Sequence, residues 1–119
     1  MKETDFIDLN VPGLLARYSN PAPDWKQIVL AFSSTQIEFF RQNGLLKRDA
    51  AVLSVPINEA VIHFSDYTEE GQRFLRSGAV DKWLAACDKN GTIAAYRDSS
   101  GLDRRLKEFR AKNKQRKIL

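Results

Sequence analysis

The sequence predicts an α+β domain: a long N-terminal helix packed on a small antiparallel β-hairpin or sheet, then two short helices and a basic C-terminal helix. Apolar residues recur with helical spacing after Asp24, the period becomes strand-like over residues 50–64, and helical spacing then returns. The chain has 119 residues, 43% of them apolar and 10% aromatic, which suits one domain with a single core. We expect residues 1–101 to form that domain and residues 102–119 to form the basic helix or tail.

Residues 1–23 are predicted to form an arm. Pro12-Gly13 and the Asn20-Pro21-Ala22-Pro23 cluster disfavour a long helix or a central strand. One short helical turn is expected near Leu14–Tyr18, and the apolar residues of the arm are expected to pack on the body.

The strongest helical pattern begins at Asp24, whose carboxylate can cap the first turn, with Gln27 at the position of a capping-box partner. Asn43-Gly44 predicts its end, because glycine enters the left-handed conformation without a Cβ clash. The apolar face is interrupted by the polar Gln36. Its large side chains are Trp25, Ile28, Val29, Phe32, Phe39 and Phe40.

Residues 50–64 are predicted to form an antiparallel hairpin. Ala51–Val55 and Ala60–Phe64 are apolar or β-branched runs of strand length, and Pro56–Glu59 has the length of a hairpin turn. His63 lies within the second run. We therefore expect a histidine of the core or of a sheet face, held by ordinary hydrogen bonds, rather than a general base.

The first short helix is predicted to follow the N-cap candidates in Ser65–Thr68. Glu69 and Glu70 then fall in the first turn, where the helix dipole favours carboxylates. Ser77-Gly78 predicts its end.

The second short helix has an apolar stripe of Val80, Trp83, Leu84 and Cys87, and Asn90-Gly91 closes it. Cys87 is expected to be structural, because a reactive thiolate needs an accessible, electropositive setting. Thr92–Tyr96 is expected to be a short extended segment.

The last helix is predicted to be capped by Ser100 and Asp103, to dock through Leu102, Leu106 and Phe109 up to about residue 109, and then to fray. Residues 102–119 hold eight basic and two acidic residues, a net charge of +6, whereas the rest of the chain carries −2. Such a segment either contacts a polyanion or is simply solvated. The candidate contacts are Arg104, Arg105, Lys107, Arg110, Lys112, Lys114, Arg116 and Lys117.

Catalytic and metal-binding signatures are absent from the sequence. One cysteine, Cys87, excludes an intrachain disulfide, and one histidine, His63, excludes a multi-histidine metal site. Asp66, Glu69 and Glu70 form the densest carboxylate group, which the helix dipole explains without a function. We therefore expect no enzyme, no catalytic residue, no cofactor and no metal. A hydrolase or transferase built on His63 and these carboxylates would require them to share a cleft.

Three stretches carry a resemblance: Ser65-Asp66-Tyr67-Thr68-Glu69-Glu70-Gly71-Gln72-Arg73-Phe74, Gly78-Ala79-Val80-Asp81-Lys82-Trp83-Leu84 and Asp88-Lys89. They resemble small uncharacterised bacterial proteins, some of which act as immunity partners of interbacterial toxins. The resemblance implies a bacterial adaptor or inhibitor rather than an enzyme, and it transfers no functional residue.

Two functional hypotheses follow. The first is a non-catalytic, cytoplasmic binding protein whose partner is another protein, such as a toxin. The alternative is non-specific nucleic-acid binding through the basic C-terminal segment, with affinity that falls steeply with salt. No membrane partner is expected, because the longest apolar run, Ile28–Phe32, is far shorter than the ~20 residues that span a bilayer.

Overall fold

The structure, a computed structural model, describes residues 9–17, 25–48 and 55–118, and the side chains of 9–16, 26–48 and 55–112. The described chain is mostly helical with a two-stranded antiparallel sheet, which confirms the α+β class. In chain order the strands and α-helices are β1 (Leu9–Asn10), α1 (Val11–Arg17), α2 (Trp25–Gln42), β2 (Val61–Ile62), α3 (Glu69–Arg76), α4 (Ala79–Asn90), α5 (Ile93–Arg97) and α6 (Ser100–Ile118).

The sheet joins the N-terminal arm to the middle of the chain. β1 runs antiparallel to β2, with Leu9 opposite Ile62, and both side chains are fully buried. The Val11 amide extends the pairing by donating to the Ala60 carbonyl at 3.0 Å. The predicted small antiparallel sheet is therefore present, but its described strands come from the arm and from β2 rather than from two adjacent runs.

The predicted hairpin turn is a 3₁₀ turn, Ile57–Glu59, in which the Ala60 amide donates to the Ile57 carbonyl at 3.1 Å. β2 then ends at Ile62, so the predicted strand Ala60–Phe64 is too long. Most of the other predicted strand, residues 51–54, lies outside the described residues. Strand propensity marks segments that can pair, but it does not identify the partner.

α2 is the central helix, and α1 and α5 pack against it. Its aromatic face is buried as predicted, and the Phe40 ring lies 5.0 Å from the Tyr67 ring and 6.0 Å from the Phe74 ring, measured between centroids. The polar Gln36 is fully buried on the same face. α2 ends at Gln42 and Gly44 has a φ of +68°, as the glycine pattern predicts. The predicted cap Asp24 and the Trp25 side chain lie outside what the structure describes.

α3 and α4 also follow their predicted patterns. The Thr68 hydroxyl caps α3 by accepting a hydrogen bond from the Gly71 amide at 3.2 Å. Gly78, with a φ of +82°, turns the chain into α4, and the predicted apolar stripe of α4 is buried.

The predicted extended segment Thr92–Tyr96 is wrong, because these residues enter α5. Thr92 caps this helix, its hydroxyl accepting from the Ala95 amide at 3.3 Å. Tyr96 is buried and donates to Asp88 Oδ1 at 2.5 Å, which ties α5 to α4. The Thr92 cap stabilises a helical turn over these residues instead.

α6 docks through Leu102 and Leu106, which are buried, and through Phe109, whose ring lies 5.4 Å from the Phe74 ring. Its start lies beside Asp98, whose carboxylate accepts from the Ser100 amide at 2.9 Å, rather than at a cap formed by Ser100. In the described part of the chain, no helix has both the length and the apolar character needed to cross a membrane.

Candidate functional site

A cleft of about 450 Å³ lies between the first turns of α4 and the part of α6 that runs from Arg104 to Lys112. Four cationic side chains and one carboxylate line it, which leaves a net charge of +3. The cations are Lys82, Arg104, Arg105 and Lys112, and the carboxylate is Glu108.

The packing of α6 explains why these cations gather there. Leu102, Leu106 and Phe109 face the core, so the flank of α6 beside them faces the start of α4. Side chains four residues apart lie on one helix face, which aligns Arg104 with Lys112 two turns later. The body contributes the remaining cation, because the turn at Gly78 starts α4 alongside α6.

Glu108 offsets only one of the four positive charges of the cleft. None of the four cationic side chains has a nitrogen within 4.0 Å of a carboxylate oxygen among the described residues. The ion pairs in the described part of the chain, Arg41–Glu38 and Arg110–Glu70, lie outside the cleft. Arg105 donates one hydrogen bond to the Gly101 carbonyl at 3.1 Å, which holds its guanidinium while leaving other N–H donors free. Four like charges around one cleft favour the entry of an anion.

Arg110 is used differently from the other predicted polyanion contacts. Its Nη2 donates to the Asn43 carbonyl at 2.8 Å and to Glu70 Oε1 at 2.9 Å, so it fastens α6 to the body. Lys107 is exposed outside the cleft. Lys114, Arg116 and Lys117 lie on the last turns of α6, and their side chains are outside the described ones.

Lys82 is a member of the cleft that the sequence analysis missed. It lies outside the basic segment, on a body that is acidic overall. The sequence signal that could have indicated Lys82 is its place directly before Trp83 of the apolar stripe. In the structure, the Trp83 indole N–H donates to the Asp98 carbonyl at 3.1 Å and so holds α4 next to the start of α6.

The residues considered for catalysis, His63 and the carboxylates of Asp66, Glu69 and Glu70, do not line the cleft. His63 follows β2, and its side chain is exposed, so the expectation of a core or sheet-face histidine is wrong. Its backbone amide donates to Asp66 Oδ2 at 2.8 Å, which uses that carboxylate in a local turn. Glu70 pairs with Arg110. In the part of the chain that the structure describes, no three histidine, cysteine or acidic side chains group as metal ligands.

Cys87 is buried, and its thiol donates to the Ala95 carbonyl at 3.3 Å. Burial raises the pKa of the thiol to about 11, with the negative charges of Asp88 and Asp98 adding to the effect. The thiol is therefore protonated near neutral pH and links α4 to α5, in agreement with a structural role.

A second groove, of about 600 Å³, lies between α2 and α5. Leu30, Ala31 and Phe39 form its apolar part, and Arg97 is its cation. Its carboxylate, Glu38, is already paired with Arg41. This groove lacks the excess positive charge of the cleft beside α6.

Comparison of the chain with protein-family models, with curated proteins and with solved structures finds no match.

Proposed function

We propose that this protein is a non-catalytic binding protein that holds nucleic acid by its phosphate backbone, without reading base sequence. The observation that carries the proposal is the cleft beside α6, where four cations lie without a paired carboxylate among the described residues. Lys114, Arg116 and Lys117 follow on the last turns of the same helix and add to its positive charge. Lysine and arginine on one face bind phosphates by releasing condensed counterions.

Duplex nucleic acid is the expected form of the ligand. Proteins that hold single strands stack the bases on exposed aromatic rings. Among the described side chains, no aromatic residue is exposed; the exposed large hydrophobic residue is Val55, at 41%. The aromatic residue of α6, Phe109, packs on Phe74. The described surface therefore favours phosphate contacts over base stacking.

The proposal predicts a strong dependence on salt. Each phosphate contact contributes about −0.9 to the slope of log affinity against log salt concentration, so three to five contacts give a slope of about −3 to −5. Affinity should change little between duplexes of different sequence, because phosphates carry no base identity.

The test is fluorescence anisotropy with a labelled duplex and two charge-matched variants. One replaces four cations of the C-terminal half of α6 by glutamine: Lys112, Lys114, Arg116 and Lys117. The control replaces four exposed cations elsewhere by glutamine: Lys26, Lys47, Arg48 and Lys89. Neutralisation is preferable to truncation after Phe109, since truncation would also remove the Arg110 bonds to the body.

We expect the helix variant to lose most of its duplex affinity and most of its salt slope, and the control to retain both. Equal losses in the two variants would indicate a response to net charge alone and would overturn the assignment of the interface to α6. Absence of wild-type binding at low salt would overturn the function itself.

A toxin-neutralising protein is the second candidate function. The groove between α2 and α5 favours it, because an apolar base with a polar margin suits a protein partner. Interfaces of this kind cover about 800 Å² per partner. Leu30→Asp should abolish capture of a host protein from nuclease-treated lysate, whereas Lys89→Gln should retain it. Capture that survives Leu30→Asp would exclude the groove.

A further inference from the structure

Lys82 places a body residue opposite the basic helix. It is exposed on α4, and it lines the same cleft as Arg104, Arg105 and Lys112 of α6. A phosphate entering the cleft would therefore meet cations from two helices rather than from one face of α6. Contacts from two sides fix the position of an anion better than a single row of charges does.

The Arg105 side chain is already oriented by a hydrogen bond within α6. Its bond to the Gly101 carbonyl restricts the side chain before any ligand arrives, which lowers the entropy lost on binding. The guanidinium keeps further donors for phosphate oxygens. Ser77, also in the lining, is less suited to bind an anion because its hydroxyl already bonds within the turn, donating to the Phe74 carbonyl and accepting from the Ala79 amide.

We propose that the cleft between α4 and α6 is a phosphate subsite for the backbone of duplex nucleic acid, and that Lys82 completes it. This inference rests on the proposed function and adds to it a defined point of contact on the body. The cleft, at about 450 Å³, has room for a phosphodiester together with part of the adjoining sugars. Glu108 lowers the charge of the cleft but leaves it cationic.

The matched pair for the test is Lys82→Gln and Lys89→Gln. Both lysines are exposed on α4, and both substitutions remove one positive charge, but Lys89 lies outside the cleft. Duplex affinity is measured by anisotropy between about 50 and 200 mM salt. Circular dichroism verifies that both variants fold.

Loss of one phosphate contact should reduce the salt slope of Lys82→Gln by about 0.9, so the ratio of wild-type to variant affinity should shrink about 3.5-fold over this salt range. Lys89→Gln should retain the wild-type slope. Equal behaviour of the two variants, with the wild type still binding duplex, would overturn the subsite and leave the proposed function standing.

A second measurement separates a backbone phosphate from a free small phosphate. Pyrophosphate is titrated into the ¹⁵N-labelled protein, alone and in competition with duplex. We expect weak shifts centred on residues 77–82, lost in Arg104→Gln and kept in Lys107→Gln, and displacement of the pyrophosphate by duplex. Tight pyrophosphate binding without any duplex binding would overturn the backbone assignment and the proposed function together.

Discussion

Gly71 lies against the carbonyl of Leu45 so closely that a Cβ at residue 71 would be 2.3 Å from that oxygen. The same carbonyl accepts hydrogen bonds from the Thr68 amide at 2.9 Å and from the Thr68 hydroxyl at 3.2 Å. The first turn of α3 is thereby seated on the chain that follows α2. Glycine inside a helix costs about 1 kcal/mol relative to alanine, so its presence at residue 71 has a packing reason.

Gly71→Ala should destabilise the protein by about 2 kcal/mol, because the added methyl group must push α3 away from the Leu45 backbone. Urea unfolding followed by circular dichroism measures the change. Arg73→Ala, an exposed substitution on the same helix, should stay within about 0.5 kcal/mol of wild type. A stable Gly71→Ala protein would show that α3 can shift without loss of packing.

Gln36 is fully buried on α2, and its side-chain oxygen and nitrogen have no hydrogen-bond partner among the described residues. Ser33, one turn earlier, is in the same situation. Gln36→Met keeps the approximate shape of the side chain and removes the unsatisfied amide, so we expect the free energy of unfolding to rise by about 1 kcal/mol.

The control for this prediction is Gln27→Met, an exposed position on the same helix, which should change the free energy of unfolding little. The urea midpoint is the measurement for both variants. A clear loss of stability in Gln36→Met alone would mean that the amide is satisfied after all, for example by a buried water.

The Arg110–Glu70 pair should contribute a measurable coupling between α6 and α3. Both side chains are partly exposed, so a double-mutant cycle of Arg110→Ala and Glu70→Ala should give about 0.5–1 kcal/mol. Arg110→Ala should cost more than Glu70→Ala, because it also removes the bond to the Asn43 carbonyl. Lys107→Ala is the control on the same helix. Additive single losses would show that the ion pair contributes nothing.

The Cys87 thiol should make stability depend on alkaline pH. Burial raises its pKa to about 11 in the folded protein, from an ordinary value of 9.0. The unfolded chain therefore loses the thiol proton first as pH rises, and the contribution of Cys87 to stability is present below about pH 9 and lost towards about pH 11.

The measurement compares wild type with Cys87→Ala under reducing conditions. The difference in unfolding free energy should narrow from about pH 8 to about pH 10.5. Burial and the bond to Asp88 are the largest causes that raise the pKa of Tyr96, and both are kept in Cys87→Ala; the variant removes only the smaller contribution of the Cys87 charge. A constant difference across this range would contradict the raised thiol pKa.

Helical spacing and capping residues in the sequence correctly predicted α3, α4 and the buried side of α6. The structure contains the apolar stripe of α4 and the inward residues of α6, both of which repeat at helical spacing in the sequence. It also contains the predicted helix boundaries at Thr68 and Gly91. Gly71 lies inside α3, where neither a turn nor a helix end requires a glycine. Its reason is a contact with Leu45, 26 residues earlier, which no local pattern contains.

The amino-acid order by itself determined which residues are apolar, where α3 begins, where α2 and α4 end, and that the positive charge is concentrated in the last 18 residues. Only the tertiary structure decided that β1 pairs with β2, that Arg110 is used in fastening α6, and that Lys82 shares a cleft with Arg104. The physical reason is range. Capping and periodicity act within a few residues, whereas strand partners and charged clefts are set by packing between segments that lie far apart along the chain.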